Sequence, residues 1–135
     1  MSRSPLQDKI EIGELVARYS HAVNDVDFPG WADCFAPGGV FVGAFERFRA
    51  HEDLERFAST SRELMERWPS LRLQFTDVLS TVDGDAATCR CNLVMTSTDA
   101  TGQAHVVFVA HYDDRLTRHD GRWLFAERNV RVAGR

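Results

Sequence analysis

The chain has 135 residues, of which 44% are apolar and 27% charged. That is about one domain's worth of ordinary globular composition, and it excludes a disordered, collagenous or coiled-coil chain. No apolar run approaches the roughly 20 residues of a membrane span. The opening MSRSPLQDKIEIGEL lacks the apolar stretch of a secretory signal, so one cytoplasmic domain over residues 1–135 is expected, with no membrane partner. Of sixteen basic residues Lys9 alone is lysine, yet twenty acidic residues bring the net charge to −4 and no basic run occurs. A nucleic-acid surface needs positive charge gathered on one face; no nucleic-acid partner is expected, and the arginine excess reads as genome composition.

Ser4-Pro5-Leu6-Gln7 carries the signals of a helix start. Apolar positions then recur at Ile12, Leu15, Val16, Tyr19, Ala22 and Val23, one stripe of a helix that ends near Asn24. Asp27 is the N-cap of a short second helix predicted to carry Trp31, Cys34 and Phe35 and to end at Pro37-Gly38-Gly39. Val40–Val42 is a short strand with Phe45–Arg49 as its hairpin partner. Leu54, Phe57, Ala58, Leu64 and Met65 define a third helix, stopped by Pro69.

From residue 70 the period shortens to two. Leu71, Leu73, Phe75, Asp77 and Leu79 are expected on one strand face. Asp83-Gly84, Thr101-Gly102 and Asp120-Gly121 separate further strands over about 86–98, 103–118 and 122–132. The unbroken apolar run Val106–Ala110 predicts a sheet covered on both faces. Helices first and an antiparallel meander afterwards give the α+β class, with long strands curling over the helices around an apolar pocket. Cys89 and Cys91 lie two apart on a strand and so share a face; with Cys34 they read as small core residues rather than a disulfide or a zinc site. No metal, nucleotide or serine-hydrolase motif occurs, and no cofactor is expected.

Two stretches carry a family resemblance. Tyr-Ser-His-Ala-Val-Asn-Asp-Val-Asp followed by Trp-Ala-Asp-Cys-Phe-Ala-Pro-Gly-Gly-Val-Phe, within Ile12–Phe41, resembles the opening of SnoaL-like proteins of the nuclear transport factor 2-like superfamily. The ending Ala110-His111-Tyr112-Asp113-Asp114-Arg115-Leu116, then Asp120-Gly121-Arg122-Trp123-Leu124-Phe125-Ala126-Glu127-Arg128, is similar as well. The resemblance implies a cone-shaped α+β barrel, with three N-terminal helices packed in a curved, mostly antiparallel sheet, and a homodimer formed through the sheet face. It also implies a range of activities: dehydratases, isomerases, polyketide cyclases, oxygenase small subunits and non-catalytic binding domains. Dehydratase-like members use an Asp–His pair, in which the Asp orients an imidazole that removes a proton from carbon. The resemblance puts Asn24 at the Asp position and Leu73 at the His position, and neither can take part in proton transfer.

The remaining polar groups supply the candidates. Asp77, among apolar neighbours, is a candidate general acid or base if buried, or the partner of an arginine or of the backbone if not. Tyr112 is a candidate hydrogen-bond donor to a carbonyl or enolate oxygen, or a core tyrosine with a satisfied hydroxyl. Asn24 retains the hydrogen-bonding half of the lost Asp's role, or caps its helix. Asp114 reads as structural. Tyr19, Trp31, Phe41, Leu73, Phe75 and Cys91 are expected pocket walls, with Asp27 near the mouth or capping its helix. His111 falls on the face opposite Tyr112. An Asp–Arg–Asp cluster of Asp77, Arg90 and Asp114 is disfavoured, because alternation turns Arg90 away from Cys89 and Cys91. The expected function is acid–base chemistry of isomerase, cyclase or dehydratase type on a small hydrophobic molecule bearing a carbonyl or hydroxyl. The alternative is a non-catalytic ligand-binding or assembly domain.

Overall fold

The structure, a computed structural model, describes residues 4–134. Helix α1 (Pro5–Asn24) begins as its sequence predicts: the Ser4 hydroxyl accepts a hydrogen bond from the Gln7 N–H at 3.0 Å, and Pro5 opens the first turn. Its apolar stripe from Ile12 to Val23 is buried. Helix α2 (Phe28–Ala32) is one short turn capped by Asp27, whose carboxylate accepts from the Gly30 N–H at 3.0 Å. Helix α3 (Leu54–Arg67) ends before Pro69.

Six strands follow the sheet order β2-β1-β6-β5-β4-β3: β1 (Phe35–Val42), β2 (Arg47–Arg49), β3 (Arg72–Asp83), β4 (Ala86–Thr98), β5 (Ala104–His119) and β6 (Arg122–Val132). β1 runs parallel to β6, and every other pairing is antiparallel. The sheet curves around α1 and stays unclosed, the cone of an α+β fold. The far end of α1 is pinned through Asp8, a buried carboxylate that accepts from Trp123 Nε1 at 3.0 Å and Arg118 Nη2 at 3.1 Å.

The second helix is shorter than its sequence predicts. Cys34 and Phe35 leave it because the Phe125 N–H captures the Cys34 carbonyl at 2.9 Å and draws the chain into β1. Pro37-Gly38-Gly39 therefore lies inside β1, where the register against β6 shifts between Phe35 and Val40. Gly39 is required at this irregularity: a Cβ there would stand 2.8 Å from the carbonyl oxygens of both Ala36 and Phe125.

The larger correction is in β3. Its register against β4 shifts between Thr76 and Leu79, and Asp77 takes the left-handed conformation at φ 58°. A bulge adds a residue on one strand and reverses which face the following side chains meet. Leu71 and Leu73 are buried and Phe75 half-buried, but Asp77 is exposed and Leu79 is 65% exposed, while Ser80 turns inward. The run Val106–Ala110 is covered on one face only within this chain, since Val106 and Val109 are exposed on the convex side.

Candidate functional site

α1, α3 and the concave side of the sheet surround an apolar cavity of about 200 Å³. Tyr19 of α1, Phe41 of β1, Phe57 of α3, and Leu73, Leu93 and Tyr112 of the sheet form its inner walls, and the β1–β2 turn, Gly43–Glu46, forms part of its rim. Apolar protein cavities of about 150 Å³ admit a benzene ring, so this one has room for a compact, ring-bearing molecule.

Two phenols supply the polar atoms of the inner wall. Tyr19 and Tyr112 are almost fully buried, and their rings meet edge to face with centroids 6.5 Å apart. Burial pushes Tyr19 up to about 12, against the opposing pull of Arg128. Burial likewise holds Tyr112 well above its ordinary value. Both phenols therefore stay protonated at neutral pH and keep an O–H to donate.

Behind them stands Arg128, with no exposed surface. Its guanidinium carbon lies 4.3 Å from the ring centres of Tyr112 and Phe125, 4.4 Å from Tyr19 and 5.0 Å from Phe75, a cation among aromatic faces. Nε and Nη2 donate to the two oxygens of Asp114 at 2.9 and 3.0 Å, and Nη2 also reaches Cys91 Sγ at 3.3 Å. Nη1 finds no oxygen and is held among the rings. Burial alone would push the arginine's pKa down, but the Asp114 carboxylate beside it reverses that and keeps the cation charged. Burial in turn raises the Asp114 carboxyl, with Arg128 opposing. A fully desolvated pair of this kind stands only while both members are present.

The SnoaL-like domain family model matches residues 4–129. The chain belongs to the SnoaL-like domain family. Among solved structures, this SnoaL-like domain is similar to a Mycobacterium tuberculosis protein described as of unknown function, at 34% identity and a TM-score of 0.82, covering 94% of this chain and 77% of that one. It is also similar to a Catenulispora acidiphila protein in complex with S-DNPA, at 28% identity and a TM-score of 0.75, covering 91% of each chain. A Novosphingobium aromaticivorans protein with a cystatin-like fold superposes at a TM-score of 0.85 over 96% of this chain and 84% of its own, at 23% identity, a likeness of fold. The curated proteins give no match.

Within the SnoaL-like domain the sequence candidates fall into three groups. Tyr19, Phe41, Leu73 and Tyr112 line the cavity. Trp31, Phe75 and Cys91 stand one layer back: Trp31 stacks on Phe57 at 3.6 Å, Phe75 meets Tyr112 edge to face at 5.0 Å, and Cys91 touches Arg128. Asp77, Asn24 and Asp27 lie outside. The bulge turns Asp77 to the convex side, where its carboxylate accepts from Asn92 Nδ2 at 2.8 Å. Asp27 is occupied as the α2 cap. Asn24 does meet position 73, through the backbone: Oδ1 accepts from the Leu73 N–H at 2.8 Å and Nδ2 donates to the Leu73 carbonyl at 3.0 Å. The two positions to which the resemblance assigned an Asp–His pair are thus in contact, and the contact holds α1 against β3. Arg90 pairs with Asp113 on the convex side, away from Asp114.

Two charged residues of the site, Arg128 and Glu46, escape the sequence reading. Strict alternation sets Phe125 and Glu127 on one face and Arg128 on the other. A register shift against β5 leaves Ala126 as an extra residue, and Phe125 and Arg128 both turn inward. A buried Asp114 demands a cation, and that was the available signal. Glu46 lines the cavity from a turn, where no periodicity points to it.

Proposed function

We propose that this chain binds a compact, largely apolar molecule bearing a carbonyl or hydroxyl oxygen, and acts on it by acid–base chemistry of the isomerase, cyclase or dehydratase type. The observation that carries the reading is the pair of protonated phenols, Tyr19 and Tyr112, set in an apolar cavity. A ligand oxygen entering there receives a phenolic hydrogen bond in a water-poor site. As negative charge develops on that oxygen in the transition state, the bond strengthens, which lowers the barrier. Arg128, fixed behind both rings, holds them in place. The relative that forms a complex with S-DNPA supports a small-molecule ligand for this chain as well.

A second reading, a non-catalytic binding or assembly domain such as an oxygenase small subunit, is favoured by one observation. Positions 24 and 73 hold no proton-transfer group, and Asp77 faces away from the cavity. Both readings keep the chain as one domain that pairs with a second copy through the convex face carrying Val106 and Val109; light scattering showing a monomer at micromolar concentration would remove the dimer. Native mass spectrometry of the purified protein identifies a retained ligand, and its turnover is then followed in Tyr19→Phe and Tyr112→Phe. Loss of turnover with the ligand still bound supports the enzyme. Weakened binding with no turnover in the parent protein supports the binding domain. Unchanged binding and rate in both variants overturns the site.

A further inference from the structure

Glu46 is the one carboxylate among the described residues lining the cavity. It ends the turn between β1 and β2, which the Gly43 N–H closes on the Glu46 carbonyl at 2.8 Å. Arg56 of α3 donates to Glu46 Oε1 at 3.0 Å and does not itself line the cavity. Arg56 is fixed in turn by the Arg47 carbonyl at 2.7 Å, by Asp53 at 3.4 Å and by the Phe48 ring at 4.2 Å. One carboxylate oxygen is thus committed to a held arginine. The other, Oε2, has no protein hydrogen bond among the described residues.

From this geometry we infer that Glu46 is the second polar anchor of the cavity and selects ligands carrying a hydrogen-bond donor at the end opposite their carbonyl or hydroxyl oxygen. The inference rests on the binding reading above and adds to it the ligand's second functional group. The tyrosine pair offers protons and so requires an acceptor. Glu46 offers a carboxylate oxygen and so requires a donor. A ligand that fills the cavity strips water from the inner side of Glu46. If the ligand ends in a methyl or methoxy group, that water is lost without replacement; if it ends in a hydroxyl or amine, a charge-assisted hydrogen bond takes its place. Thr60 and Ser61 also border the cavity, but hydroxyls accept and donate alike and do not discriminate in this way. The preferred class is therefore a compact ring with an acceptor oxygen at one end and a donor at the other.

The test is calorimetric titration of the full chain with three probes at neutral pH: acetophenone, para-hydroxyacetophenone and para-methoxyacetophenone. The hydroxyl probe is expected to bind roughly tenfold more tightly than its methoxy counterpart, a ratio typical of one hydrogen bond to a part-exposed charge. Glu46→Ala removes that preference, so that the hydroxyl and methoxy probes bind alike, and Glu46→Gln retains part of it. Tyr112→Phe weakens all three probes alike. A hydroxyl preference that survives in Glu46→Ala overturns the inference. So does equal binding of the two para-substituted probes to the parent protein; if acetophenone still binds in a Tyr112-dependent manner, the cavity reading stands without Glu46. Failure of all three probes to bind the parent protein sinks the cavity reading and the inference together.

Discussion

Asp113 and Asp114 are neighbours on β5, and each pairs with an arginine, but on opposite faces of the sheet. Asp114 meets Arg128 with both side chains fully buried and two hydrogen bonds near 3 Å. Asp113 meets Arg90 at 3.6 Å with side chains 41% and 72% exposed, and shares its carboxylate with His111. The residue types match and the physics does not. On the convex face water screens the charges and supplies alternative partners, so the pair is worth little. On the concave face each charge is tolerable only because the other is there, and the pair fixes the rings that wall the cavity. One residue's step along a strand separates a surface decoration from the element on which the site is built.

The strongest way to break this contrast is Arg128→Met, which strands a buried carboxylate and is expected to cost about 3–5 kcal/mol of stability, read from urea denaturation. A loss below about 1 kcal/mol would place the two pairs in the same class. Adding Asp114→Leu to that variant sharpens the comparison: with both charges gone, a large part of the lost stability returns. Next in size is Asn24→Ala, which removes both hydrogen bonds to the Leu73 backbone and costs about 1–3 kcal/mol. Faster hydrogen exchange at the Leu73 amide locates the effect at the α1–β3 contact. Arg90→Ala and Asp113→Asn should each stay within about 0.5 kcal/mol of the parent; a larger loss would mean the convex pair is more than decoration. The smallest effect is expected from the three buried thiols. Burial pushes Cys34 and Cys91 up to about 11 and Cys89 up to about 12. Each pKa lies above its ordinary value, so the reactive thiolate is scarce in mildly alkaline buffer. A disulfide reagent should label none of the three natively and all three after denaturation.

The same local geometry decides how much could be read without coordinates. The α1 stripe with its Ser4 cap, and the turns at Asp83-Gly84 and Asp120-Gly121, rest on short-range rules of capping and turn chemistry, and the structure keeps them. On β4 and the inner half of β5 alternation holds, and Cys89, Cys91, Tyr112 and Asp114 all face inward as it predicts. Alternation fails after Thr76 and at Ala126, where an extra residue inverts the faces, sending Asp77 out and bringing Arg128 in. Bulges of this kind answer to the curvature of the whole sheet, which no local window contains. Glu46 was illegible for a different reason: its position depends on where a turn meets α3, a contact between segments rather than a pattern within one.

The pairing of β1 with β6 sets Val40 beside Glu127. Contacts so distant in sequence carry a large loop-closure penalty and slow the search for the native state. Tyr19 and Phe41 come from the first third of the chain and Tyr112 from the last, so the cavity is complete only when this closure has been made. A ligand grips both halves at once and has little to hold before they meet. Its expected signature in kinetics is therefore one-sided: a slower rate of opening, with the rate of assembly left unchanged.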